Sequence, residues 1–287
     1  MKKDTILKNT KIANDIIYYI YKYIDTNISL DELSNNLGVS KFHMHRIFKN
    51  EFGKNVYESI KSIRLQKAAS LLLTNKNSTI TQTAKMCGYS SQTSFSKVFK
   101  DKFLMTPKEW RNGGYNSYVD TILTESLSAA NSIADFSSLK PTIVKMQEMK
   151  GHYIRHQGYD KSIGETWQKL HTWTLCNDIT DFTQIGLHHD NPTIIPLKEC
   201  QYIACVVKEI KNASLPTFII PKGVYAKFDF NGKYGDVLKF MNWVYFNWLI
   251  NSGYETTTNP SYAIYHKNHF LSDDAEFDLS YYIPVKL

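Results

Sequence analysis

The sequence predicts a multidomain chain of the α plus α/β class. An N-terminal all-α domain of two helix-turn-helix units (residues 1–115) leads through a linker (116–140) to a C-terminal α+β domain (141–287) of two strand–helix–strand–strand modules. Two internal repeats and one charge boundary carry that expectation. SLDELSNNLGVS (29–40) matches TITQTAKMCGYS (79–90) at an offset of 50, and RIFKNEF (46–52) matches KVFKDKF (97–103) at 51. IGLHHDN (185–191) matches YAIYHKN (262–268) at an offset of 77. Residues 1–115 hold 19 Lys and Arg against 9 Asp and Glu, whereas residues 116–287 hold 15 against 18. Only the first part is therefore expected to meet a polyanion.

In the first part, helix starts recur at equivalent places. Ser29 with Glu32, Thr79 with Gln82, Asn55 with Glu58 and Thr106 with Glu109 have capping-box spacing, the last with Pro107 at the first helical position. Each unit then reads as a helix, a turn at Gly38 or Gly88, and a second helix. Met44, Ile47, Phe48 and Phe52 form the apolar stripe of the first such helix, and Phe95, Val98, Phe99 and Phe103 that of the second. The opposite faces carry Lys41, Phe42, His45, Arg46 and Lys49, and Gln92, Thr93, Ser96, Lys97 and Lys100. Arg and Lys can bond guanine, Gln can bond adenine, and flanking Lys can hold phosphates, so these ten residues are the candidate DNA contacts. Residues 56–74 read as one long helix. Such a connector sets the two readers about 34 Å apart, one turn of DNA, so the expected site is asymmetric and roughly 20 base pairs long.

SKFHMHRIFK (40–49) and SSQTSFSKVFKDKF with TPKEWR (90–111) resemble the two reading helices and closing signature of the AraC/XylS family, most closely its MarA, SoxS and Rob branch. That resemblance implies base contacts by Phe42, His45, Arg46, Gln92, Thr93 and Lys97. Phe42 stands where Trp is usual, His45 where Gln is usual and Lys97 where Arg is usual, so the family's site sequences do not transfer.

Residues 116–140 are rich in Ser, Ala and Asn and read as a linker. Beyond them, apolar helices are expected at 163–176 and 236–250, and closing strands at 201–207 and 278–285. Two such modules related by a pseudo-twofold make one curved sheet with a cleft where they meet. The motifs GYD and GKYGD, HHDNPT, NWLINSGYE and YYIPVK resemble the GyrI-like effector-binding domain over residues 141–287, and the joined layout resembles Rob-type regulators. The resemblance implies a cleft glutamate in sensors of cationic drugs, on the strand that here reads YAIYHKN. The corresponding position holds Ala263, and its mate is Gly186. Strand alternation places Ala263, Tyr265, Gly186 and His188 on one face, with Trp167 and Tyr245 as walls from the covering helices. The expected effector is neutral or aromatic.

Four cysteines show no metal or disulfide spacing and fit a reduced, cytoplasmic protein. His188 and His189 should point to opposite faces, and His152 and His156 lie too far apart along a strand to share an ion, so no metal and no cofactor is expected. No signal peptide or membrane span is read. No acid/base pair supports catalysis, and no catalytic residue is assigned. The reading is a DNA-binding transcription regulator, an activator with RNA polymerase as partner, controlled by a small molecule. Three alternatives stay open: a ligand-independent regulator whose second domain binds protein, a GyrI-like hydrolase on a DNA tether, and a toxin-like topoisomerase antagonist.

Overall fold

The computed structural model describes residues 3–124, 133–211 and 213–287. The N-terminal half is helical: α1 Lys3–Lys22, α2 Leu30–Asn36, α3 Lys41–Phe52, α4 Val56–Thr74, α5 Ile80–Met86, α6 Gln92–Phe103, α7 Pro107–Glu109 and α8 Tyr115–Thr124. Its starts follow from side-chain caps. Asn55, Thr79 and Thr106 form complete capping boxes, while Ser29 accepts from the Glu32 amide without the return bond. Each helix-turn-helix bends at a glycine with positive φ, Gly38 at 62° and Gly88 at 75°. At Gly88 a Cβ would lie 2.5 Å from the Ile24 carbonyl oxygen, so chain packing as well as φ requires glycine there.

Met44, Ile47 and Phe48 are buried beneath α3, and Phe95, Phe99 and Phe103 beneath α6. Phe52 and Val98 are only half-buried, because both sit where their stripes turn toward solvent. Trp110 is fully buried against Phe99 and Phe103 and donates its Nε1–H to the Ala69 carbonyl at 3.0 Å, tying the chain after α6 to α4. The expected linker begins differently. Asn112 and Gly113 kink the chain, α8 follows, and its Val119 and Ile122 are buried. The rest of the linker, residues 125–132, lies outside the described residues. Phe136 closes the segment by packing on Phe230 and Phe240 of the second half.

The C-terminal half is a curled antiparallel half-barrel. Its strands are β1 Thr142–Met146, β2 Met149–Gln157, β3 Thr183–His188, β4 Gln201–Val207, β5 Thr217–Ile220, β6 Gly223–Lys233, β7 Glu255–Thr256, β8 Ser261–Lys267 and β9 Glu276–Lys286. The main path runs β1-β6-β9-β8-β3-β4-β2-β5, with β7 on β9. The two modules are β2–α9–β3–β4, with α9 at Ile163–Cys176, and β6–α10–β8–β9, with α10 at Asp236–Trp243 and continued to Asn251 through a wider turn. They meet at the β3–β8 ladder. Each module also lends its leading strand to the other, β1 to β6 and β5 to β2, which locks the pair. Both helices lie on the concave face, where Trp167, Leu170, Phe240, Met241 and Val244 join Phe228, Leu279 and Tyr281 in one core. The repeat segment 185–191 is strand only as far as His188, and His189, Asp190 and Asn191 form a buried turn beyond it.

The halves are tightly docked. Tyr18 of α1 donates to the Ile219 carbonyl at 3.1 Å and accepts its amide at 2.7 Å, capping the open edge of β5. Asn75, after α4, exchanges two hydrogen bonds with the Thr256 backbone, and the amide and hydroxyl of Ser78 both bond Glu255. One apolar cluster runs from Leu65, Leu72 and Phe99 into Ile194, Ile195 and Cys200 of the second half.

Candidate DNA-reading face and ligand cleft

The fold puts α3 and α6 at equivalent places in the two units, both packed through α4 and its neighbours. On α3, Lys41, Phe42, Arg46 and Lys49 are exposed and His45 is half-buried. On α6, Gln92, Thr93, Lys97 and Lys100 are exposed and Ser96 is half-buried. Phe42 stands 77% exposed, a large apolar side chain left on the surface. Three neighbours hold candidate DNA contacts. His43 Nδ1 lies 3.0 Å from Arg46 Nη2, Asp31 pairs with Lys41 at 2.6 Å, and the Thr81 hydroxyl bonds Gln92. Tyr57, at the start of α4, stacks on His45 with ring centroids 5.6 Å apart, a support that the sequence reading did not include.

The six candidate ligand residues divide. Tyr265 lines a narrow aromatic pocket with Tyr159, Tyr202, Tyr234, Leu238 and His269. His188 and Tyr245 instead line a polar cavity against α4. Trp167, Gly186 and Ala263 line neither space. Tyrosines occupy the space above the small pair Gly186 and Ala263. A Cβ on Gly186 would lie 2.5 Å from Tyr202 Oη. Tyr202 Oη in turn accepts from Trp167 Nε1 at 3.0 Å and lies 3.4 Å from Tyr265 Oη.

Among the described residues, no carboxylate lines the aromatic pocket. Glu165 is exposed on α9, and Asp229 faces away, bonded to Ser280 and Lys227. His269 is buried, and desolvation pushes its pKa down to about 4, so its imidazole is neutral at neutral pH. The pocket is therefore an uncharged, aromatic space edged by tyrosine hydroxyls. Tyr159 and Tyr234 were legible in part: they are the tyrosines of GYD and GKYGD, one from each module. Tyr202 was hidden among apolar strand residues.

His188 and His189 do point apart. His188 sits among Tyr159, Tyr202 and Tyr281 on the concave side, while His189 stacks on Tyr21 of α1 at 4.1 Å. Among the described residues no group of three His, Cys, Asp or Glu could hold a metal ion, and no helix is long and apolar enough to cross a membrane.

Paired helix-turn-helix units joined to a half-barrel with a cleft define a DNA-binding transcription regulator with a small-molecule-binding domain. Comparison with known proteins agrees. A helix-turn-helix domain model matches residues 33–113, and a GyrI-like small molecule binding domain model matches residues 139–286. The chain is 36% identical over 105 residues to the probable transcription factor PqrA of Proteus vulgaris, covering 36% of this chain and 85% of that protein. It is 32% identical over 106 residues to regulatory protein SoxS of Escherichia coli (strain K12), covering 37% of this chain and 98% of that one. The xylose operon regulatory protein of the same strain is 34% identical over 96 residues, 33% of this chain but 24% of that protein. The chain belongs to the AraC family of transcription regulators and carries a GyrI-like domain.

Proposed function

We propose that the protein is a ligand-responsive transcription activator of the cytoplasm, working with RNA polymerase at an asymmetric site of about two helical turns. In this reading residues 1–115 read DNA through Lys41, Phe42, His45, Arg46 and Lys49 on α3 and Gln92, Thr93, Ser96, Lys97 and Lys100 on α6. Residues 141–287 sense a neutral, aromatic or mildly polar compound, and 116–140 connect the two. The observation that carries it is the aromatic pocket without a carboxylate, in a half bonded directly to Lys67 of α4. An uncharged pocket of tyrosines favours aromatic stacking with one or two hydrogen bonds, whereas a cation there meets no counter-charge. Tyr202 touches His188, and the next residue, His189, accepts a hydrogen bond from Lys67 of α4 at 2.6 Å, so a ligand that moves Tyr202 is two contacts from the readers' connector. The cleft holds His269 but no carboxylate to pair with it as acid and base, which favours binding over hydrolysis.

The test is titration of the full chain with neutral aromatic compounds against lipophilic cations of matched size, followed by tryptophan fluorescence and by DNA affinity. A neutral compound that binds and changes DNA affinity is the expected result. Binding without any change in DNA affinity removes ligand control and leaves a regulator whose second half serves another partner.

A further inference from the structure

A second, small cavity lies between the halves and shares no lining residue with the aromatic pocket. Gln66, Lys67 and Ser70 of α4 wall one side, and His188, His189 and Asn191 wall the other. Its polar inventory is incomplete. His188 Nε2 and both ring nitrogens of His189 have no hydrogen-bond partner, although the two residues are only 3% and 4% exposed. Native proteins rarely leave buried polar atoms in that state. Lys67 Nζ donates once, to the His189 carbonyl, and enters no ion pair among the described residues, so two of its three hydrogens remain for another acceptor. Asp190 also lines the cavity, but its oxygens are committed to Tyr21 Oη at 2.9 Å and the Gln201 amide at 2.7 Å. Burial pushes the Asp190 carboxyl up against the opposing pull of Lys67. Burial holds His189 well below the usual histidine range, which leaves a neutral ring with one hydrogen to donate.

We propose that this cavity binds a small oxyanion, a phosphate or carboxylate group, held between Lys67 of the connector helix and the His188–His189 turn of the sensor. Its oxygens accept from the Lys67 ammonium and from one ring N–H of His189, and its charge pairs with that of Lys67. Because it touches both halves, it ties the sensor to the helix that spaces the readers.

Calorimetric titration of the full chain with inorganic phosphate, and separately with acetate, tests this at constant ionic strength against chloride. Saturable one-site binding of at least one oxyanion is expected, weakened about tenfold or more by Lys67→Met and retained by Lys67→Arg. His189→Phe, which keeps a ring on Tyr21 but removes both nitrogens, also weakens binding and stands as an independent arm if Lys67→Met fails to fold. Tighter phosphate than acetate assigns a phosphate group, and the reverse assigns a carboxylate. Heats no larger than those of chloride, or binding unchanged in both Lys67→Met and His189→Phe, overturn the proposal and leave a cavity for water alone.

Discussion

Gly186 and Ala263 stand opposite each other in the β3–β8 ladder, and they are also equivalent positions of the two repeated modules. The pseudo-twofold of the C-terminal half therefore passes between them. Neither position has space to spare. A methyl on Gly186 would meet Tyr202 Oη at 2.5 Å and Tyr265 at 3.1 Å, so the tyrosine pair must shift. Gly186→Ala is expected to destabilise by about 1–3 kcal/mol, as overpacking does. Tyr202→Phe removes the clashing oxygen but also the acceptor for Trp167 Nε1, at a cost of about 1 kcal/mol. The double variant should be more stable than the sum of the two predicts. Additive losses in chemical denaturation would show that Tyr202 Oη is not the obstacle.

Arg46 is exposed on α3 with its guanidinium 3.0 Å from His43 Nδ1, which orients the fork before DNA arrives. Arg46→Ala should cost about 1–3 kcal/mol in specific binding and relax discrimination at one base pair. Binding titrations on a site library read this directly. Equal loss on specific and random DNA would make Arg46 a phosphate contact.

The second reader is tested by Gln92→Ala with Lys97→Ala, both exposed on α6. The protected footprint should shorten from about two helical turns to about one. An unchanged footprint would assign the basic face of α6 to a protein partner such as polymerase.

Asp15 on α1 supplies a pH test. Burial raises its pKa from 3.8 to about 6, against a smaller opposing pull from Lys11. The folded pKa lies above the unfolded one, so the favourable term is full below pH 3.8 and is lost as pH rises through about 6. Asp15→Asn should therefore stabilise the protein at pH 7 by about 1–2 kcal/mol, after discounting for partial exposure, and leave it unchanged near pH 3.5. Denaturant melts at the two pH values separate this from a uniform effect, which would deny the shift.

The repeats made most of the fold legible. Caps, glycine turns and apolar stripes are local signals, and they placed α3, α4 and α6 within a residue or two. The 77-residue offset likewise placed Gly186 opposite Ala263, because an antiparallel pair at a twofold must join equivalent positions. What sequence could not supply was long-range. Nothing local distinguishes Tyr202 and Tyr265, which line the pocket, from Tyr262 and Tyr281, which are buried away from it. The docking of Tyr18 on Ile219 and of Asn75 on Thr256 joins residues roughly 200 and 180 positions apart, where no periodicity reports. His188 and Tyr245 were assigned to one cleft for the same reason: the packing of α4 against that face separates them from Tyr265.

The charge preference of the sensor turns on Ala263. It is fully buried, paired across the ladder with Gly186 and Tyr281, and no carboxylate lines the neighbouring pocket among the described residues. The wild-type chain should therefore bind neutral aromatic compounds in preference to lipophilic cations. Ala263→Glu places an unpaired carboxylate in this uncharged floor, with an expected loss of about 3–5 kcal/mol if it stays ionised and less if its pKa rises instead. A lipophilic cation relieves that burden and a neutral compound does not. Tetraphenylphosphonium should raise the melting temperature of the variant and leave the wild type unmoved. Tryptophan fluorescence gives a second readout, since Trp167 and Trp243 both belong to the core over this face. Tight binding of the cation by the wild type would defeat the preference itself. A stable variant indifferent to the cation would show that position 263 has no route to the pocket, and that the tyrosine layer of Tyr202 and Tyr265 seals the floor from the ligand.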